Sequence, residues 1–182
     1  MIGNLRSQPA LKNPELLAPS VSAALQAWEG STPVGQIEVA AIDPDFADTA
    51  AFCERYEVGL DASANCVVVS ARRGEERRTA ACVVLATTRA DVNGLVRKHL
   101  GARKASFAAM DDAVRDTGME YGGITPIGLP ADWPVLVDPA VTAAPAVVIG
   151  SGLRGSKIVL PGAALAEIPS AVVLDGLGVP IA

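Results

Sequence analysis

The residue types that carry most enzymatic chemistry are sparse in this sequence, and their spacing narrows what it can do. His99 is the single histidine, so a two-histidine metal site or a Ser-His-Asp arrangement would have to run through it. It stands beside Arg97 and Lys98 in a segment of helical period, which is a structural setting. None of Cys-x-x-Cys, His-Glu-x-x-His or the phosphate-binding Gly-x-x-x-x-Gly-Lys-Ser/Thr occurs. Asp111-Asp112 is explained by the first turn of a helix, where negative charge is favoured. More informative are two glycine loops about 28 residues apart, Tyr121-Gly122-Gly123-Ile124-Thr125-Pro126-Ile127-Gly128 and Gly150-Ser151-Gly152-Leu153-Arg154-Gly155. Adjacent glycines let a backbone approach a ligand closely and present N–H groups, and Pro126 stiffens the end of the first loop. Such a turn can hold a carbonyl oxygen or a sugar hydroxyl without a charged side chain. The second loop adds the guanidinium of Arg154. Taken singly, either loop can simply connect strands.

The elements that must position these loops are legible by period. Residues 1–18 are rich in Pro, Asn and Leu without a repeat, and are expected to form an N-terminal extension or loosely docked arm before a single domain over 19–182. Val21, Ala24, Leu25 and Trp28 predict a helix opened by Pro19 and closed by Gly30. A strand is expected over 36–42 and a helix over 45–56, with Gly59 just past its end. Residues 66–71 and 79–86 form a hairpin around a charged turn. A helix over 90–100 presents Val92, Leu95, Val96 and Leu100 inward. A strand over 105–108 and a helix over 111–117 lead to the first glycine loop. Strands over 135–137, 146–149, 158–160 and 171–174, with a brief helix over 162–168, complete the chain. This order predicts one α+β domain, a mixed and partly antiparallel sheet flanked by helices.

Composition excludes several classes. Of 182 residues, 50% are apolar and 19% charged, which is incompatible with a largely disordered chain. The longest charge-poor stretch, 133–153, is broken by Pro134, Asp138, Pro139 and Pro145. No run approaches the ~20 apolar residues of a membrane helix, and no apolar block follows Arg6 and Lys12 as in a signal peptide. Cys53, Cys66 and Cys82 are odd in number and widely spaced, predicting reduced, mostly core thiols of a cytoplasmic protein. The net charge of −5 hides an asymmetry: residues 72–104 hold nine basic and three acidic side chains, the remainder six basic and seventeen acidic. A polyanion would be drawn to that one segment, although a solvated hairpin tip and helix face explain the same residues. Phe107 is the only aromatic nearby, so no stacking platform is suggested.

The two loops together resemble the signature of the YbaK/prolyl-tRNA-synthetase-associated family of aminoacyl-tRNA editing domains. Gly122-Gly123-Ile124-Thr125-Pro126 is similar to that family's Gly-Gly-x-Ser/Thr-Pro loop, and Gly152-Leu153-Arg154-Gly155 to its Gly-x-Arg-Gly turn. Thr49-Ala50, the hairpin and Leu100-Gly101-Ala102-Arg103-Lys104 extend the likeness over residues 49–174. The resemblance implies a trans-acting deacylase of the free-standing type, which hydrolyses the ester of mischarged tRNA without metal or organic cofactor. It implies substrate-binding roles for Gly122, Ile124, Thr125, Pro126, Gly150, Ser151, Gly152 and Arg154, with Gly123 presenting its amide to the reacting ester. The basic segment, through Arg72, Arg73, Arg77, Arg78, Arg97 and Lys98, is then the expected tRNA contact. No membrane partner is expected, and the many Ala and Val residues leave a homodimer open.

One departure bears on activity. Where the family carries a lysine at the start of the first hairpin strand, this chain has Asn65, which is neutral and shorter. Asn65 can still serve a variant mechanism; alternatively the chain is a non-catalytic binding module of the same fold for an aminoacyl-tRNA end, a nucleotide or a protein partner. A third alternative is a cation from elsewhere. Lys157, opening the strand after the second loop, is that candidate, against the plainer reading of a lysine on a strand edge.

Overall fold

The computed structural model describes residues 1–181. From the N-terminus the chain runs through β1 (Gln8–Pro9), α1 (Pro19–Gln26), β2 (Glu38–Ala41) and α2 (Thr49–Tyr56) into a long hairpin, β3 (Ala64–Arg73) and β4 (Glu76–Leu85). β5 (Thr88–Ala90), α3 (Arg97–His99), β6 (Lys104–Phe107) and α4 (Met110–Thr117) come next. Beyond the first glycine loop lie β7 (Val135–Val137), α5 (Pro139–Ala143), β8 (Val147–Gly150), β9 (Ser156–Leu160), β10 (Ala171–Val173) and β11 (Gly178–Pro180).

The strands form a five-stranded sheet in the order β10-β7-β4-β3-β6 and a four-stranded sheet in the order β1-β2-β9-β8, with β5 and β11 paired apart. In the first, β3 pairs antiparallel with β4 and β6, while β7 pairs parallel with β4 and β10. The second sheet is antiparallel throughout. A mixed α+β domain is therefore what the sequence period described. An isolated bridge from Ser63 to Val148 brings the start of β3 alongside β8, and so joins the two sheets where the site forms.

β4 is buried on both faces, and its sequence from Ala80 to Leu85 is accordingly an unbroken apolar run. Ala81 and Val83 face a core shared with Leu25, Val135, Ile149, Ile158 and Leu160. Ala80, Cys82 and Val84 pack instead with Val92, Val96, Leu100 and Leu136. The helix expected over 90–100 divides into a π-helical turn, Val92–Val96, and α3. Asp91 accepts hydrogen bonds from the N–H groups of Gly94 and Leu95 at 3.1 Å each, which fastens the wider turn.

Two local expectations are corrected. The helix ending at Tyr56 stops at Glu57, which adopts the left-handed conformation at φ +56°; Gly59 belongs to the following turn. Residues 1–18 are not loosely docked. Leu5, Ala10, Leu17 and Ala18 are buried, and Gln8–Pro9 pairs with Glu38 and Val39. Their backbone forms short 3-10 turns, which have no long apolar period to detect. Among the described residues no helix is long and apolar enough to cross a membrane.

Candidate functional site

A cavity of about 480 Å³ opens where the two sheets meet. Asn65 and Cys66 from β3, Thr49 at the start of α2, Lys157 from β9, Gly150 at the end of β8, and Gly122 and Ile124 of the first glycine loop all line it. Phe107, Met110 and Tyr121 stand around its edge as exposed apolar side chains.

Glycine is required where the two loops meet. The Gly152 N–H donates to the Gly123 carbonyl at 2.7 Å, and the Glu120 N–H to the Gly152 carbonyl at 2.9 Å. A side chain on Gly123 would place its Cβ 2.7 Å from the Leu153 carbonyl, and one on Gly150 would come within 2.6 Å of the Gly123 carbonyl oxygen. The pair of loops is thus one backbone-to-backbone unit. Arg154 ties it down: its Nη1 donates to the Tyr121 carbonyl at 3.2 Å, and Nη2 to the Pro44 carbonyl at 3.1 Å. Ser151 is fully buried, its Oγ 2.7 Å from the Ser156 hydroxyl, which in turn donates to the Leu16 carbonyl. The N-terminal segment therefore backs the second loop directly, with the Ala18 N–H donating to the Ser151 carbonyl at 3.1 Å.

These contacts redistribute the expected roles. Gly122, Ile124 and Gly150 line the cavity, whereas Thr125, Pro126, Ser151, Gly152 and Arg154 lie outside its lining. Thr125 is wholly buried, and Pro126 lies against a separate cavity behind the loop. The Gly123 N–H is engaged in a turn, donating to the Glu120 carbonyl at 2.9 Å, so the expectation that it faces a ligand is corrected. Among the described residues the N–H groups of its neighbours Gly122 and Ile124 have no protein acceptor. Sequence reasoning finds the right loop and misassigns the donor, because φ +79° at Gly122 turns the pair in a way its composition does not specify.

Asn65 and Lys157 share the cavity. The Thr49 hydroxyl donates to Asn65 Oδ1 at 2.6 Å, which leaves the Asn65 amide NH₂ as an unengaged donor. Lys157 is not on a strand edge: β9 pairs with β2 through Ala40 and with β8 through Gly150. Its Nζ donates to the Ala47 carbonyl at 3.0 Å and lies 5.2 Å from the centre of the Phe52 ring. Burial holds the ammonium below the usual lysine range, with Arg154 adding to the shift; Cys53 and Asp48 oppose it. The arrangement offers hydrogen-bond donors and one cation around a concavity with an apolar wall. Burial, reinforced by Cys82, pushes the Cys66 thiol well up. Burial likewise raises Cys82, to about 12.

The basic cluster is split by the alternation of β3 and β4. Arg72 and Arg77, opposite one another, line a trough with Arg97, Arg103 and Lys104. Arg73 and Arg78 belong with Glu76 to a separate small hollow that Arg72 also borders, and Arg78 is paired with Glu76 at 3.3 Å. Lys98 is exposed on α3 and lines neither.

A family model described as an aminoacyl-tRNA editing domain matches residues 43–168, a range that takes in the hairpin and both glycine loops. Among solved structures, the chain is similar to a protein described as a candidate trans-editing enzyme for prolyl tRNA synthetase. That likeness has a TM-score of 0.71 at 18% identity over 87% of this chain and 94% of the other. It is also similar to the hypothetical protein APE2540, with a TM-score of 0.68 at 20% identity over 78% and 90% of the two chains. At these identities the likeness to the two structures is one of fold.

Proposed function

Because the chain belongs to the aminoacyl-tRNA editing domain family, whose members act on aminoacyl-tRNA, we propose that it is a trans-acting deacylase of mischarged tRNA. In this reading the terminal ribose and its acyl group enter the cavity between the glycine unit and β3. The N–H groups of Gly122 and Ile124, the Asn65 amide and the Lys157 ammonium surround the acyl linkage. Water attacks the ester carbonyl carbon and gives up a proton. Negative charge gathers on the carbonyl oxygen, the bond to the ribose oxygen breaks, and that oxygen takes a proton. Preorganised donors aimed at the developing charge are the largest contribution such a site can make, and fixing the ester in place adds to it.

The observation that supports this reading is the common cavity of Asn65 and Lys157. The family position expected to carry a lysine holds a neutral amide, and a half-buried cation lines the same cavity from a different strand. The walls of Ala64, Cys66, Val67, Val68 and Ala113 favour a small, uncharged amino-acid side chain. Purified protein should therefore accelerate ester loss from tRNA mischarged with a small residue such as alanine, cysteine or serine, measured in single turnover across a panel. Asn65 favours a second reading, a non-catalytic module of the same fold. Binding of the panel without acceleration of any member would establish that reading and end the first.

A further inference from the structure

Eight large hydrophobic side chains stand most exposed among the described residues, and three of them, Phe107, Met110 and Tyr121, line this one cavity. Phe107 is 64% exposed, on the edge strand β6. Apolar groups gathered in the open around a concavity mark a binding surface rather than incidental exposure. The trough of about 790 Å³ beyond them shares Val68, Phe107, Ala108 and Ala113 with the cavity, so the two are continuous. Six basic and two acidic side chains line the trough. Arg115 is occupied by Asp112 and Asp116, at 3.1 and 3.0 Å. The other five, Arg72, Arg77, Arg97, Arg103 and Lys104, form no ion pair among the described residues. Arg72 and Lys104 are opposite one another, three residues along β6 from Phe107, about 10 Å at the rise of an extended strand, and their side chains leave the strand on the face opposite to that of the Phe107 ring.

We propose that the cavity mouth is a stacking subsite for the unpaired 3′-terminal base of an RNA strand, with Phe107 as the platform, and that the trough holds the phosphates leading to it. Every base has a π-face, so a single exposed ring serves the end of any RNA carrying the same terminus. Cations without internal partners keep their full attraction for phosphates, at a strength that falls with salt. The strand therefore crosses the β6 edge, and the hairpin tip reaches it through Arg72 and Arg77 while Arg73 and Arg78 lie off its path. This rests on the deacylase reading only for the identity of the RNA, since the platform and trough are read from the surface itself.

The test uses the full chain and a short single-stranded RNA ending in cytidine-cytidine-adenosine, with binding followed by fluorescence anisotropy over a salt series. Phe107→Ala should weaken binding at least about fivefold with an unchanged salt slope, and Phe107→Trp should restore it. Arg72→Ala with Lys104→Ala should weaken binding and flatten the slope of log K against log salt by about 1.4. All these side chains are exposed, so the melting temperature should stay put. Binding by Phe107→Ala equal to that of the unaltered chain overturns the stacking subsite, and an unchanged salt slope in the double variant overturns the path. Either result leaves the editing reading intact if the unaltered chain still deacylates tRNA. Conversely, failure to deacylate ends that reading while the oligonucleotide measurement still decides the subsite.

Discussion

Replacing Lys157 by methionine lowers the single-turnover rate of ester loss by about 10²- to 10³-fold, the usual cost of removing one donor from a charge-stabilising site. Methionine is of similar length and apolar, so it fills the space beside the Phe52 ring and the fold should be little disturbed. The cation and its 3.0 Å hydrogen bond to the Ala47 carbonyl are lost. Adding Asn65→Lys to that variant restores an ammonium on the same cavity wall and should recover part of the rate. A protonated Lys157 also predicts a pH dependence. Its pKa is lowered from the ordinary 10.5, so a rate that needs the charged form must fall, as pH rises, at a point below 10.5. After subtraction of the protein-free rate, that alkaline fall should be absent from the methionine variant. Full activity in Lys157→Met would remove the relocated cation from the mechanism.

Gly123→Ala should destabilise the joined loops and slow ester loss together. Its Cβ would lie 2.7 Å from the Leu153 carbonyl carbon and oxygen and 2.8 Å from the Leu153 nitrogen, all backbone atoms that cannot swing away. The loops must part, weakening the 2.7 Å bond from the Gly152 N–H to the Gly123 carbonyl. Overpacking of this kind costs about 1–3 kcal/mol, or a fall in melting temperature of roughly 2–4 °C for each kcal/mol at this chain length. Deacylation should fall with it, since Gly122 and Ile124 move with the loop. Gly155→Ala is the matched control: its nearest neighbour would be 4.0 Å away, and both stability and rate should be unaffected. Equal melting temperatures for the two variants would show that the loops are not locked together.

Sequence period locates the elements whose faces are buried regularly. The hairpin, the helix ending at Gly118, and the strands around Val135, Ile149 and Ile158 are all legible because unbroken apolar runs, alternation or helical spacing mirror their buried faces. The N-terminal segment is not, since Leu5, Ala10 and Leu17 are buried one at a time from irregular turns. The site divides the same way. Glycine content marks both loops, but which amide each loop leaves free depends on Gly122 being at φ +79° and on contacts with a segment some 30 residues distant. Lys157 can be singled out by its place after the second loop, yet its interior strand position depends on the pairing of β2 and β8 on either side. Phe107 looks like an isolated aromatic in the sequence because its distance from the glycine loop conceals their common cavity. The basic run reads as one cluster, and strand alternation sends Arg77 to the trough and Arg73 and Arg78 to the small hollow, with Arg72 bordering both.

Deacylation here depends on contact between the acyl linkage and the free main-chain N–H groups of the glycine loop. That contact is tested most directly by following the backbone amide resonances of ¹⁵N-labelled protein as a non-hydrolysable 3′-aminoacylamido-adenosine is added. The Gly122 and Ile124 resonances should shift strongly in step with binding, while Gly123, already bonded to the Glu120 carbonyl, should move little. Saturable binding that leaves Gly122 and Ile124 unmoved would contradict the account.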